Sequence, residues 1–147
     1  NIYHNEIDPS PDLVRVRTYH SYAHPKSGVN VYSISWRGKT VVYATDTEGY
    51  VQSDQRLVKF AKDADVLIHD AQYRIEDYTN PSKPKQGWGH STPEMAMAVA
   101  QASNAKQLVL FHHEPTYADD TVTAIEENAR KTFPNVCAAY EGLEIII

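Results

Sequence analysis

Two short apolar runs, DVLIH at residues 65–69 and QLVLF at residues 107–111, constrain the fold of this chain more than any other feature. Each is too short for a helix and apolar almost throughout, the pattern of a strand buried on both faces. Helical patterns separate them. Residues 53–64 (SDQRLVKFAKDA) read as a short helix capped by Ser53, with Leu57, Val58, Phe60 and Ala61 near one face. Ser91 or Thr92 is the expected N-cap of a second helix, with Pro93 in its first turn and Glu94 favouring the dipole. A third helix is expected over residues 120–131 and a last strand over 135–140. Upstream, LVRVRTY (13–19) and VNVYSISW (29–36) alternate apolar and polar residues at period two, and Arg37-Gly38 leads into KTVVYAT, so residues 29–45 read as a hairpin. Antiparallel strands followed by alternating helices and strands specify an α/β domain with a mixed sheet. Residues 72–89, with prolines, glycines and Asn80, read as one long loop, a feature that is usually functional in a compact domain.

Composition narrows the chemistry. The 147 residues fit one domain, and a net charge of -5 gives no general attraction for nucleic acid or anionic membrane, so a phosphate-bearing partner needs a local site. Cys137 is the only cysteine, which excludes an internal disulfide framework and a thiolate zinc cluster and leaves the seven histidines and the carboxylates as metal ligands. No apolar run is long enough to span a membrane, and a cytoplasmic location is expected. The opening segment NIYHNEIDPSPD has no periodicity and reads as a connection entered midway.

In open α/β sheets ligands gather beyond the carboxyl ends of strands. Asp46 follows KTVVYAT, Asp70 follows DVLIH, His112 follows QLVLF, and His24 lies between the first strand and the hairpin. His90 precedes the second helix. Imidazoles with a carboxylate are the donors a zinc-like divalent ion takes. Asp46 before Thr47 and Gly49 also suits a plain turn, and His24 before Pro25 a plain loop. His69 is expected to be structural, on the face opposite Asp70.

Taken together and in this order, SYAHP, YATDTEG, LIHDAQY, GWGHST and LVLFHHEP resemble the second half of the metallo-β-lactamase superfamily of metal-dependent hydrolases, over residues 13–147. The likeness is strongest to its phosphodiesterase side, which includes the transfer-RNA 3′-processing endonucleases with their HEAT and HST motifs. The resemblance implies that His24, Asp46 and His112 bind metal, Asp46 as the bridging ligand. It places Asp70 where the glutamate of HEAT stands, and His90 at the histidine of HST, where, oriented by Asp70, it donates a proton to the leaving oxygen. The implied cofactor is a divalent metal, two zinc ions with manganese or iron as alternatives, which activates a water and clamps the substrate. The implied substrate is a small-molecule or nucleotide-like phosphodiester.

The superfamily's H-x-H-x-D-H motif is absent from these residues. Residues 1–147 are therefore expected to be the C-terminal half of an αββα sandwich, a mixed sheet with helices on one face, whose other face awaits the missing N-terminal half; homo-oligomerisation is left open. An ester, lactone or thioester hydrolase of the same superfamily, or a non-catalytic module with an incomplete site, are the alternative readings.

Overall fold

A computed structural model describes residues 12–49 and 53–147; residues 1–11 of the opening connection, and Tyr50, lie outside them. Six strands, β1 (Arg15–Ser21), β2 (Val29–Trp36), β3 (Lys39–Ala44), β4 (Val66–Asp70), β5 (Leu108–Phe111) and β6 (Val136–Ala138), form one sheet in sequence order. The first three pair antiparallel and the last four parallel. Arg37 (φ 46°) and Gly38 (φ 77°) make the β2–β3 turn, both left-handed as the tight hairpin turn demands.

The parallel crossovers carry α1 (Gln55–Phe60), α2 (Ile75–Tyr78) with α3 (Pro93–Ser103), and α4 (Asp119–Arg130). Right-handed crossovers between strands laid down in sequence order keep the helices on one face. The core is on that face, where Leu57, Val99, Ala100 and Ile125 pack on Val31, Val42, Leu67, Leu108 and Leu110.

Strand β2 shows what the other face is. Its buried residues include Ser33, while Tyr32, Ile34 and Trp36 are 38%, 41% and 47% exposed. Val16 on β1, beside Ile34, is 57% exposed. The bulkier apolar side chains of this corner thus point away from the helices, the opposite of what a solvated sheet face shows.

Several local expectations shift. Asp54, not Ser53, caps α1, accepting the amides of Arg56 and Leu57; Ser53 sits at φ 68°, outside the extended region a cap needs. Thr92 caps α3 with Pro93 in its first turn. The long loop 72–89 is interrupted by the one-turn helix α2. The last strand is shorter than residues 135–140, and 143–147 carry no regular element. His69 is structural as expected: it is buried, and its Nδ1 lies 2.7 Å from the Asp70 carbonyl oxygen.

Candidate active site

All five side chains singled out in the sequence meet at the carboxyl rim of the sheet. Asp70 is the last residue of β4, His112 the first after β5, and Asp46 the second after β3. His24 comes from the turn after β1, and His90 from the turn before α3. Asp46 and His112 both adopt left-handed backbone, φ 52° and 63°. Such conformations in non-glycine residues cost of order 1–3 kcal/mol and gather where a side chain must be re-aimed. Here they turn two side chains off the ends of parallel strands toward each other, so that His112 Nε2 lies 3.8 Å from Asp46 Oδ1.

Asp70 is fully buried and organises the inner half of the site. Its Oδ2 accepts from His90 Nδ1 at 2.8 Å and lies 3.5 Å from His112 Nδ1. Its Oδ1 accepts the amides of Ser91 at 2.9 Å and Gln72 at 3.2 Å. Burial drives the carboxyl pKa up, but His112, His90 and the Ser91 amide together outweigh it and hold the group below its ordinary value. The Asp70 carboxylate in turn raises the His112 pKa, against burial and with help from Asp46 and Glu114. At 3.5 Å this contact is longer than an ordinary N–H···O bond, so we regard it as charge attraction. The two rings stack, centroids 4.8 Å apart and 20° from parallel.

The outer half is His24, Asp46 and His90, which offer ligand atoms within 4.8 Å of one another; Asp70, His90 and His112 do the same. His24 meets His90 edge to face at 5.4 Å. With its Nδ1 engaged by Asp70, His90 has Nε2 left for a metal or a substrate. Imidazoles and carboxylates are the donor set of zinc-like ions, and the buried His112 Nδ1 has no hydrogen-bond partner, so the residues fit a divalent cation. A cavity of about 470 Å³ opens elsewhere, on the helix side beside Ile75, Met97 and Ile125, and includes none of these five residues.

Two residues support the site in ways the sequence does not announce: Glu48 as a clamp, and Ser91, expected only as a helix cap, as a link between loops. Glu48 accepts Tyr78 Oη and the Gly87 amide, both at 2.6 Å, and the Gly89 amide at 2.9 Å, while its own amide donates to Ala23 O. It thus ties together the loops bearing Asp46, His24 and His90. Hydrogen bonding to Glu48 adds to burial in pushing the Tyr78 phenol far above its usual range. Ser91 donates its hydroxyl to Thr47 O and accepts the Gly49 amide at 2.9 Å, joining the Asp46 loop to the start of α3. The second histidine of the pair, His113, is half-buried, and burial lowers its pKa.

Comparison with known proteins agrees with this arrangement. Residues 12–113 match the family described as beta-lactamase superfamily domain. The chain is 36% identical over 109 residues to ribonuclease Z of Bacillus subtilis and 35% identical over 111 residues to ribonuclease Z of Archaeoglobus fulgidus, covering 74% of this chain and 33% of each relative. It therefore spans about a third of the length of these curated relatives. Among solved structures, it superposes on the metallo-beta-lactamase fold protein YhfI of Bacillus subtilis with TM-score 0.67 and 20% identity, covering 93% of this chain and 49% of that one. On the short form of human tRNase Z the TM-score is 0.61 at 20% identity, over 97% of this chain and 46% of that one. With the family matched across most of the chain and its fold reproduced, the chain belongs to the metallo-β-lactamase superfamily.

Proposed function

We propose that the protein carrying this chain hydrolyses phosphodiester bonds in RNA with the help of divalent metal, zinc being the ion its donors suit best. The observation that carries the reading is the Asp70–His90 pair, 2.8 Å apart, with His90 shared by two clusters of ligand atoms at one rim, His24–Asp46–His90 and Asp70–His90–His112. Likeness to ribonuclease Z sequences supports RNA, and a transfer-RNA precursor in particular, as the substrate.

In this reading His24, Asp46 and His112 would hold the divalent metal. When bound, such a metal would supply Lewis-acid assistance to the phosphoryl group and a more acidic water. The chain's own contribution is positional and acid–base. Asp70 fixes the tautomer and direction of His90, and His90 Nε2 gives its proton to the leaving oxygen. Three ligands are too few for two ions, so the remaining donors come from the rest of a longer fold. Supporting this, the exposed apolar corner formed by Val16, Ile34 and Trp36 lies on the face where a second half of an αββα sandwich packs.

The test is His90→Ala in the full-length protein, assayed on a transfer-RNA precursor alongside metal analysis. Turnover is expected to fall by about 10²–10⁴, the usual worth of a positioned general acid, with metal content unchanged. Loss of metal would make His90 a ligand instead. A wild-type protein that cleaves esters or thioesters and no phosphodiester, or that holds no metal, overturns the reading.

A further inference from the structure

The loop between α2 and His90 is held far more firmly than its surface position requires. Asn80 Oδ1 accepts the amides of Ser82 and Lys83, the Lys85 amide donates to Tyr78 O, and the Trp88 amide donates to Lys85 O. Glu48 takes the amides of Gly87 and Gly89, the residues on either side of Trp88. Yet Trp88 itself is 53% exposed. The bonds that tie the site loops together thus also fix the indole's backbone from both sides while half of its ring stays open to water, which preorganises a surface for stacking. Lys85 Nζ lies 3.9 Å from the Trp88 ring centroid and 5.4 Å from that of Tyr73, whose ring is 6.1 Å from His90. An aromatic face and a cation are thus joined by one ring to the proton donor. The net charge of -5 on these residues gives no general pull on RNA, so a local cation and stacking platform are what an RNA substrate needs at this rim.

We infer that Trp88 and Lys85 form a nucleotide subsite beside the reacting centre: the indole stacks on a base next to the scissile bond, the ammonium pairs with a neighbouring phosphate, and Glu48 is the positioning residue. The inference rests on the phosphodiesterase reading above and adds to it a grip on single-stranded substrate.

The full-length protein is assayed on two substrates, a short RNA and bis(p-nitrophenyl) phosphate, which has no base. In Trp88→Ala the ratio of kcat/KM for RNA to that for the base-free diester should fall roughly tenfold, carried by KM, and Trp88→Phe should recover most of it. Lys85→Ala should lower the same ratio and flatten the dependence of RNA binding on salt. Glu48→Gln should lower turnover of both substrates, because Glu48 also holds the loops of Asp46, His24 and His90, and should in addition raise KM for RNA alone. Binding is also read without turnover: single-stranded RNA should quench a component of the tryptophan fluorescence that is present in the wild type and missing in Trp88→Phe. Equal losses on both substrates, a change in kcat alone, or no quenching overturns the subsite and makes Trp88 a packing residue. A wild-type protein that cleaves neither diester defeats the phosphodiesterase reading instead, and quenching then decides the subsite by itself.

Discussion

Asp70 divides its carboxylate between two tasks. Oδ2 faces two imidazoles, and Oδ1 receives two backbone amides, those of Ser91 and Gln72. These tasks separate in mutants. Asp70→Ala strands two amides at a fully buried position, each worth about 1–3 kcal/mol when left unpaired, so it should destabilise the fold by about 3 kcal/mol in urea unfolding. Asp70→Asn keeps a carbonyl oxygen for the amides and an amide group for the imidazole side, so it should lose under about 1.5 kcal/mol while turnover still drops with the charge. Equal stability losses in the two variants would mean that the amide contacts do not support the fold. The pair is legible because Asp70 and His90 each stand in a short motif, LIHDAQY and GWGHST. Glu48 is not, since its three partners lie 30, 39 and 41 residues away and nothing in DTEG distinguishes a clamp from a turn.

At the scale of elements, the turn into α3 does the most to set the site. Gly87 and Gly89 are both left-handed, φ 81° and 92°, but differ in what surrounds them. A Cβ on Gly87 would meet nothing within 4 Å, whereas one on Gly89 would stand 2.5 Å from His24 Cδ2 and from Pro25 Cδ. Pro25 is a closed ring and cannot swing aside, so His24 must move. Gly89→Ala should therefore weaken metal binding as well as stability, while Gly87→Ala should cost only about 1 kcal/mol from its backbone angle. Metal titration of the two variants separates them; identical affinities would show that the Gly89 contact does not place His24. The elements themselves are read from hydrophobic period and turn chemistry, which is why the hairpin, the buried strands and the Thr92 cap are legible. Helix α2 escapes because four residues cannot display a helical period, and the α1 cap is displaced by one residue because Ser53 has a backbone angle that no sequence rule foretells.

Across the whole molecule the two ends of the sheet have different duties. The carboxyl rim gathers imidazoles and strained backbone, and the exposed apolar corner of β1 and β2 accounts for a sequence pattern that puts serine inside and isoleucine outside. At the opposite, amino end, Asp65 fastens the strands: it accepts the Thr40 amide of β3 at 2.8 Å, pairs with Lys106 just before β5 at 2.8 Å and lies 3.6 Å from Lys39. The hydrogen bond from Lys106, then that from Thr40, holds its carboxyl below the ordinary value in spite of burial. The unfolded chain, with its carboxyl pKa of about 4, takes up the proton first as pH falls, so the folded state loses ground below that point. Asp65 thus contributes stability in full above about pH 4, and loses it as pH falls through the depressed folded value. Asp65→Asn lacks that charge and its pH dependence, so urea unfolding from pH 7 to pH 3 should show a constant gap in favour of the wild type that closes only at the acid end. A gap that instead shrinks between pH 7 and pH 5 would trace it to a histidine, and the amino end of the sheet would not be the part that acid releases.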